Sequence, residues 1–411
     1  MNQFPMLPVL EDLKKLVEPN LDYNNTYIVS VQHLLETTGS LFEAIIDIGF
    51  KPQNIYLLGK VYSTHLETQK ILKSKGINVQ QNKENEKFGT LRENLKKDVS
   101  HLWEVIKPKL KEKDIVIILD DGGLAIDKVP KELFSICKFY AIEQTTFGLR
   151  YQGNIDNFPI IQVATSAAKK FLEPNLISRA LFEKIHVFLK SLKPKNIGII
   201  GFGHIGKSVA HLFNKKYKVF IYDINRATMQ TNVGNLQICA QIKDLINNCD
   251  VIIGATGFDI SNYLLESSIE SDKTIISVSS SDIEFNSFLK KHNEELINNQ
   301  FKILSNLIMQ LPSKSKINII RGGTVANFDG SKESCPKDQI QLTRGLLFAG
   351  IIQAINNLHN NSDKKGSVKL ETSYQKMIVE RWFSSNPLFK NYYPQTLIDN
   401  FTSEKWISEN S

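Results

Sequence analysis

The sequence predicts an α/β protein with two doubly wound parallel-sheet domains followed by a C-terminal helical segment. Three observations lead there. Apolar strand-length runs alternate with helix-length amphipathic stretches almost throughout. The alternation stops at LKPK, where Pro194 ends any helix, and a second α/β series starts just beyond. After about Gln339 the pattern turns helical, with one long apolar stretch and a tail carrying Trp382 and Trp406.

In the first series NTYIVSV, NIYLLGK, KDIVIILDD, ICKFYAIEQ and FPIIQVA read as strands. Residues 36–48 and 66–75 read as helices between them, and 166–191 as a long helix with few breakers. In the second series NIGIIG, KVFIYD, CDVIIGATG, TIISVS and INIIRGG read as strands. IQLTRGLLFAGIIQAINNL, a helix apolar on more than one face, is expected to make an interdomain or subunit contact, and HNNSDKKGS to be a polar loop. The expected division is residues 1–180, 181–335 and 336–411, with the last part returning in part to the first domain.

At 411 residues the chain has room for two or three domains, each with its own core. Hydrophobic residues make up 42% and charged residues 23%, which excludes a largely disordered chain. No apolar run approaches the roughly 18–20 residues of a membrane helix. The start, MNQFPMLPVLEDLKK, lacks the basic-then-apolar pattern of a secretory leader. Cys137, Cys239, Cys249 and Cys335 lie far apart without a CxxC pair, which argues against a disulfide framework and a thiolate metal site and fits a cytoplasmic protein. The formal charge of +7 is modest. The lysines of KSKGINVQQNKENEKFGTLRENLKK and VIKPKLKEKD alternate with acids, so they read as solvated helix faces, not a nucleic-acid surface.

The most informative motif is Gly201-x-Gly203-x-x-Gly206, enclosing His204 and Ile205. It follows the strand residues 197–200, opens an amphipathic helix, and is followed by a second strand ending at Asp223. That is the Rossmann-like dinucleotide context: Gly201 for the tight turn, Gly203 for close approach of the pyrophosphate, Gly206 for helix–strand packing. Asp223 suits the adenosine ribose hydroxyls and repels a 2′-phosphate, which points to NAD over NADP. Ala255-Thr256-Gly257 closes a later strand as a small turn suited to lining the cofactor crevice.

Other chemistry-bearing residues also sit at strand ends. Asp120-Asp121-Gly122-Gly123 follows IVIIL, and Glu143-Gln144-Thr145-Thr146 follows CKFYAI. Lys169 and Lys170 open a helix, and His33 precedes one. HExxH, GxSxG and Cys/His clusters are missing from the sequence, so the zincin, α/β-hydrolase and structural-zinc readings lack their signal.

These segments, in this order, resemble the S-adenosylhomocysteine hydrolase (adenosylhomocysteinase) family over roughly residues 25–330. IVSVQHLLETTGSLFEAI resembles its strand–His–helix segment, VYSTH its Ser-Thr turn and ILDDGG a family signature. EQTTFG is similar to its Glu-Glu-Thr-Thr-Thr-Gly, and QVATSAAKKFLEPNLISRAL to its lysine-bearing segment. The glycine turn, ATG, SDIEF and GGTVANF follow in family order. The resemblance implies a hydrolase of one-carbon metabolism that oxidises a nucleoside thioether transiently with bound NAD, eliminates the thiol and adds water. It implies His33 and Asp121 as an acid–base pair, Lys169 as a proton-abstracting lysine with Glu173 in its partner's place, and Thr145, Thr146 and Asn327 as NAD contacts. It also implies a homo-oligomer and a nucleoside or sugar-like substrate. Leu35, Thr37, Gln144, Pro174 and Ser280 depart from the family pattern. The departures cluster at the nucleoside, with Gln144 and Ser280 at substrate positions, so a remodelled pocket is expected beside an intact NAD cradle.

Two other functions fit the residues. One is a non-catalytic NAD-binding relative that regulates or scaffolds. The other is a D-2-hydroxyacid dehydrogenase, which GFGHIG…VFIYD also resembles. That family needs an arginine soon after the fourth or fifth strand for the carboxylate and a late His–Glu pair; IISVSSSDIEF contains no arginine, and DDGG and EQTT have no place in that pattern.

Overall fold

A computed structural model describes residues 3–18, 22–82, 87–150, 156–230, 234–266, 269–311, 313–360 and 364–411. Parts of two expected features, the lysine-rich run at 83–86 and the polar loop at 361–363, lie outside the described residues. The strands in chain order are β1 (Thr26–Leu34), β2 (Ile55–Thr64), β3 (Asn78–Gln80), β4 (Ile115–Asp120), β5 (Lys138–Glu143), β6 (Pro159–Gln162), β7 (Asn196–Ile200), β8 (Lys218–Tyr222), β9 (Gln237–Ile238), β10 (Val251–Gly254), β11 (Lys273–Ser277), β12 (Leu307–Gln310), β13 (Lys316–Ile319) and β14 (Gly366–Lys369).

The chain forms two compact units. One comprises residues 1–82, 95–173 and 330–411, the other 83–94 and 174–329. The expected boundaries at 180/181 and 335/336 compare with observed divisions at 173/174 and 329/330. The first division falls inside the helix Ala167–Leu192, at Pro174, which has no N–H for the carbonyl of Lys170.

The first unit holds a parallel sheet in the order β14-β6-β5-β4-β1-β2-β3. Strand β4 is buried along almost its whole length, as a central parallel strand must be. The order reverses between β1 and β4, leaving a crevice at their carboxyl ends. Strand β14 was missed within the stretch expected to be a polar loop: GSVK is short, half-polar and an edge strand, so no burial periodicity marks it. The lysine-rich run likewise contains β3 as well as helical residues.

The helix Lys337–His359 is buried all along Gln341–Ile355. Its expected role at an interdomain or subunit contact is corrected here. It is apolar on several faces because its own unit surrounds it, with β4 and β5, the helices Pro8–Lys14 and Glu36–Asp47, and the helix Thr372–Ser385 packed against it.

The second unit holds a seven-stranded sheet in the order β12-β13-β11-β10-β7-β8-β9. Its pairs are parallel except β12–β13, which is antiparallel. The switch point lies between β7 and β10. Each unit therefore has the doubly wound arrangement expected from the sequence.

Among the described residues no helix is long and apolar enough to cross a membrane, no group of acidic, His and Cys side chains is arranged to hold a metal, and the four cysteines are buried.

Candidate functional site: a dinucleotide turn and a buried acid–base pocket

In the second unit, β7 runs into Gly201, whose φ of 96° only glycine adopts readily. A Cβ there would strike the Ala255 carbonyl, and one on Gly206 would strike the Gly201 carbonyl. A Cβ on Gly203 would meet nothing within 4 Å. The turn is thus closed by packing on two sides and open above Gly203. Gly203 and His204 are exposed there, Ile205 is half-buried, and no side-chain cap closes the start of the helix His204–Phe213. An open backbone cradle at a helix N-terminus suits a pyrophosphate.

Asp223 lies at the end of β8. Its Oδ2 accepts from Phe202 N at 2.6 Å and its Oδ1 from Asn225 N at 2.8 Å, which ties the carboxylate to the glycine turn. Across the switch point, Glu284 secures the Ala255-Thr256-Gly257 turn. Its carboxylate accepts from the backbone of Thr256 and Gly257, both at 2.7 Å, from Thr256 Oγ1 at 2.9 Å and from Ser279 Oγ. Burial raises the Glu284 pKa against these hydrogen bonds. Ser280 is half-buried next to Ser279. Asn327 is buried past the β11 end, where Ala326 N donates to Ser277 O at 3.0 Å.

In the first unit, the ends of β1, β2, β4 and β5 build a different site. His33 Nε2 lies 3.3 Å from Asp121 Oδ2, and His33 Nδ1 lies 2.5 Å from Ser63 Oγ. A bulge brings them together. Gln32 pairs with Gly59 and the next pair is Leu34 with Thr64, so residues 60–63 of β2 loop out opposite His33. The excursion carries Lys60 onto Asp121 and sets Tyr62 edge-on to the His33 ring, centroids 5.7 Å apart. Gly59 permits the strand to rejoin, since a Cβ there would strike Thr64 and Leu34.

The electrostatics follow from burial. Burial alone would raise Asp121, but Lys60 and His33 hold its carboxyl far below the usual range. Burial would lower Lys60, but Asp121 keeps it above its ordinary value. Burial lowers His33, so its imidazole stays neutral to lower pH than usual. Asp120 has no direct contact with a cation, and burial pushes it up to about 7 even though Ile126 N donates to it at 3.0 Å and the charge of Lys60 works the other way. Burial, and then the charge of Asp120, raise Glu143 as well.

The structure places the remaining expected residues as follows. Lys169 and Glu173 form an ion pair one helical turn apart, at 2.5 and 2.6 Å, and Glu173 Oε1 also accepts from Thr343 Oγ1 at 2.7 Å. Thr145 Oγ1 donates to Glu143 Oε1 and accepts from Gly148 N, while Thr146 is exposed. Gln144 is buried, and its Oε1 has no partner among the described residues. Lys60, Glu333 and Arg344 were not singled out from the sequence. The departure at Thr37 was the one available signal, since Thr37 N donates to Glu333 and Thr37 Oγ1 accepts from Arg344 Nε at 3.1 Å.

Residues 165–260 match the family model "D-isomer specific 2-hydroxyacid dehydrogenase, NAD binding domain". The chain is 25% identical over 361 residues to the uncharacterized protein Rv0104 of Mycobacterium tuberculosis (strain ATCC 25618 / H37Rv), across 84% of this chain and 67% of that one. The uncharacterized protein MT0113 of M. tuberculosis (strain CDC 1551 / Oshkosh) matches with the same figures. Similar solved structures include a putative D-3-phosphoglycerate dehydrogenase from Ralstonia solanacearum (12% identity, TM-score 0.42, 82% of this chain and 96% of that one). Another is a phosphoglycerate oxidoreductase from Vibrio cholerae O395 (10% identity, TM-score 0.41, 80% and 99%).

The matched segment contains the glycine turn, Asp223 and Ala255-Thr256-Gly257, and the cofactor is NAD(H). The same match overturns the expected kinship with S-adenosylhomocysteine hydrolase, and with it the thioether hydrolase activity and the place in one-carbon metabolism. The motifs behind that expectation are strand-end turns, and similar turns recur wherever doubly wound sheets present ligand-binding loops.

Proposed function

We propose that this protein is an NAD-dependent oxidoreductase of the D-2-hydroxyacid dehydrogenase type, acting on small 2-hydroxy or 2-oxo acids. The match of residues 165–260 carries this reading. When bound, NAD supplies the acceptor or donor of hydride for C2 of the substrate. Asp223 would hold the adenosine ribose, the N–H groups behind Gly203 the pyrophosphate, and Asn327 would serve the nicotinamide end.

His33 is the proton-transfer group. Held neutral by burial, it accepts the hydroxyl proton of a 2-hydroxy acid, with Ser63 Oγ as the relay to Nδ1. Asp121 lies against Nε2 and stabilises the imidazolium that results, while Lys60 keeps Asp121 ionised. In the reverse direction the same imidazolium returns the proton to the oxygen of the 2-oxo acid.

The test is direct. Purified protein is mixed with NADH and a panel of 2-oxo acids (glyoxylate, pyruvate, hydroxypyruvate, 2-oxoglutarate), and with NAD and the matching hydroxy acids. Consumption or production of NADH with at least one substrate is the expected result. No turnover in either direction by protein that binds NAD in a calorimeter overturns the reading.

A further inference from the structure

Among its described residues the first unit buries three cationic side chains, Lys60, Lys169 and Arg344. Lys60 is paired with Asp121 and Lys169 with Glu173. Arg344 is 3% exposed, and among the described residues no carboxylate oxygen lies within 4.0 Å of it. Its Nε donates to Thr37 Oγ1 at 3.1 Å, and its two Nη groups have no acceptor among the described residues. The carboxylate with the strongest electrostatic hold on it, Glu333, is turned instead onto the Thr37 backbone N–H, leaving Glu333 Oε2 without a partner.

A guanidinium cannot shed its charge as a buried lysine can. Burying it without an anion is costly, and such a cost persists where a ligand removes it. The free end of the group is a planar fork of N–H donors, which matches a carboxylate in a bidentate grip. Glu333 acts electrostatically on the guanidinium and works against a second negative charge, so a monocarboxylate suits the site better than a phosphate dianion. Arg344 also acts electrostatically on Asp121 and on His33, so its charge is felt at the proton-transfer pair.

We propose that Arg344 binds the substrate's carboxylate through its two Nη groups, with Thr37 fixing the plane of the guanidinium. This inference rests on the dehydrogenase reading.

Binding tests it apart from turnover. NADH-loaded protein is titrated in a calorimeter with oxamate, with the uncharged oxamide, and with inorganic phosphate. Oxamate is expected to bind best. Arg344→Met is expected to weaken oxamate on the order of a hundredfold, to the level of oxamide, with NADH affinity unchanged. Arg344→Lys, which keeps the charge and loses the fork, is expected to weaken it by about tenfold, and it decides the matter if Arg344→Met does not fold.

Oxamate affinity unchanged in the folded variants, no oxamate binding by the native protein, or a preference for phosphate overturns the proposal. Arg344-dependent oxamate binding with no NADH consumption by any 2-oxo acid would sink the dehydrogenase reading and leave Arg344 as a carboxylate site. NADH consumption that survives Arg344→Met with unchanged KM would do the reverse.

Discussion

His33, near the end of β1, and Asp121, just past β4, face each other across 3.3 Å at the point where the strand order of their sheet reverses. Adjacent strands leave this crevice with their loops turned apart, so two side chains 88 positions apart in sequence share one buried environment.

His33→Asn keeps a polar side chain of similar size and removes the titrating group. It is expected to lower kcat about 10²–10⁴-fold and to leave NAD affinity unchanged, since the dinucleotide turn lies in the other unit. Steady-state kinetics and NAD titration check both. Because burial lowers the His33 pKa, the native protein's rate of hydroxy-acid oxidation should rise along a limb below the ordinary imidazole value of about 6.5.

Lys60→Met leaves Asp121 buried without its cation. The expected loss is about 3–5 kcal/mol of stability at neutral pH, read as a lower urea midpoint. Below about pH 4 the gap should narrow. A carboxylate with a depressed folded pKa contributes stability above its unfolded value, and that contribution is lost as pH falls through the folded one.

Asp120→Asn tests the opposite shift. The folded pKa of Asp120, raised to about 7, exceeds the unfolded value of about 3.9, so ionisation works against the fold increasingly between those two pH values. The variant should match the native protein near the lower bound and exceed it in melting temperature by about pH 8. Melting curves that run parallel across that range would contradict the assignment.

Gly203→Ala separates folding from binding. The added methyl meets no protein atom within 4 Å, so the melting temperature of the NAD-free protein should not change. The methyl would occupy the approach of the pyrophosphate, so NAD affinity should fall at least about tenfold. Gly206→Ala, which strikes the Gly201 carbonyl, should instead lower stability as well.

Most of the second unit could be read along the chain because its cofactor turn is local. Within 28 residues a strand, three glycines, a helix, a second strand and Asp223 follow one another, and each requirement falls on a neighbouring position. Edge strands β3, β9, β12 and β14 escaped because two to four residues with one solvated side carry no usable periodicity. Candidate site residues in the first unit were legible where they end strongly apolar strands, as Asp121 does. They were illegible where position depends on packing. Lys60 reads as one more surface lysine until the bulge at Gly59 turns it inward, and Arg344 as an interruption of an apolar helix until its own unit closes around it.

The amino-acid order alone determined the two parallel-sheet halves, the dinucleotide turn and the preference for NAD, because these rest on short-range spacing and on what a glycine backbone permits. Which charges are neutralised and which are left waiting was decided by the folded chain. Asp121 keeps its charge and Asp120 is driven toward losing its own, although they are neighbours, because only Asp121 receives Lys60 and His33 from other strands. Burial costs and ion pairs depend on distances in space, and strand order sets those distances.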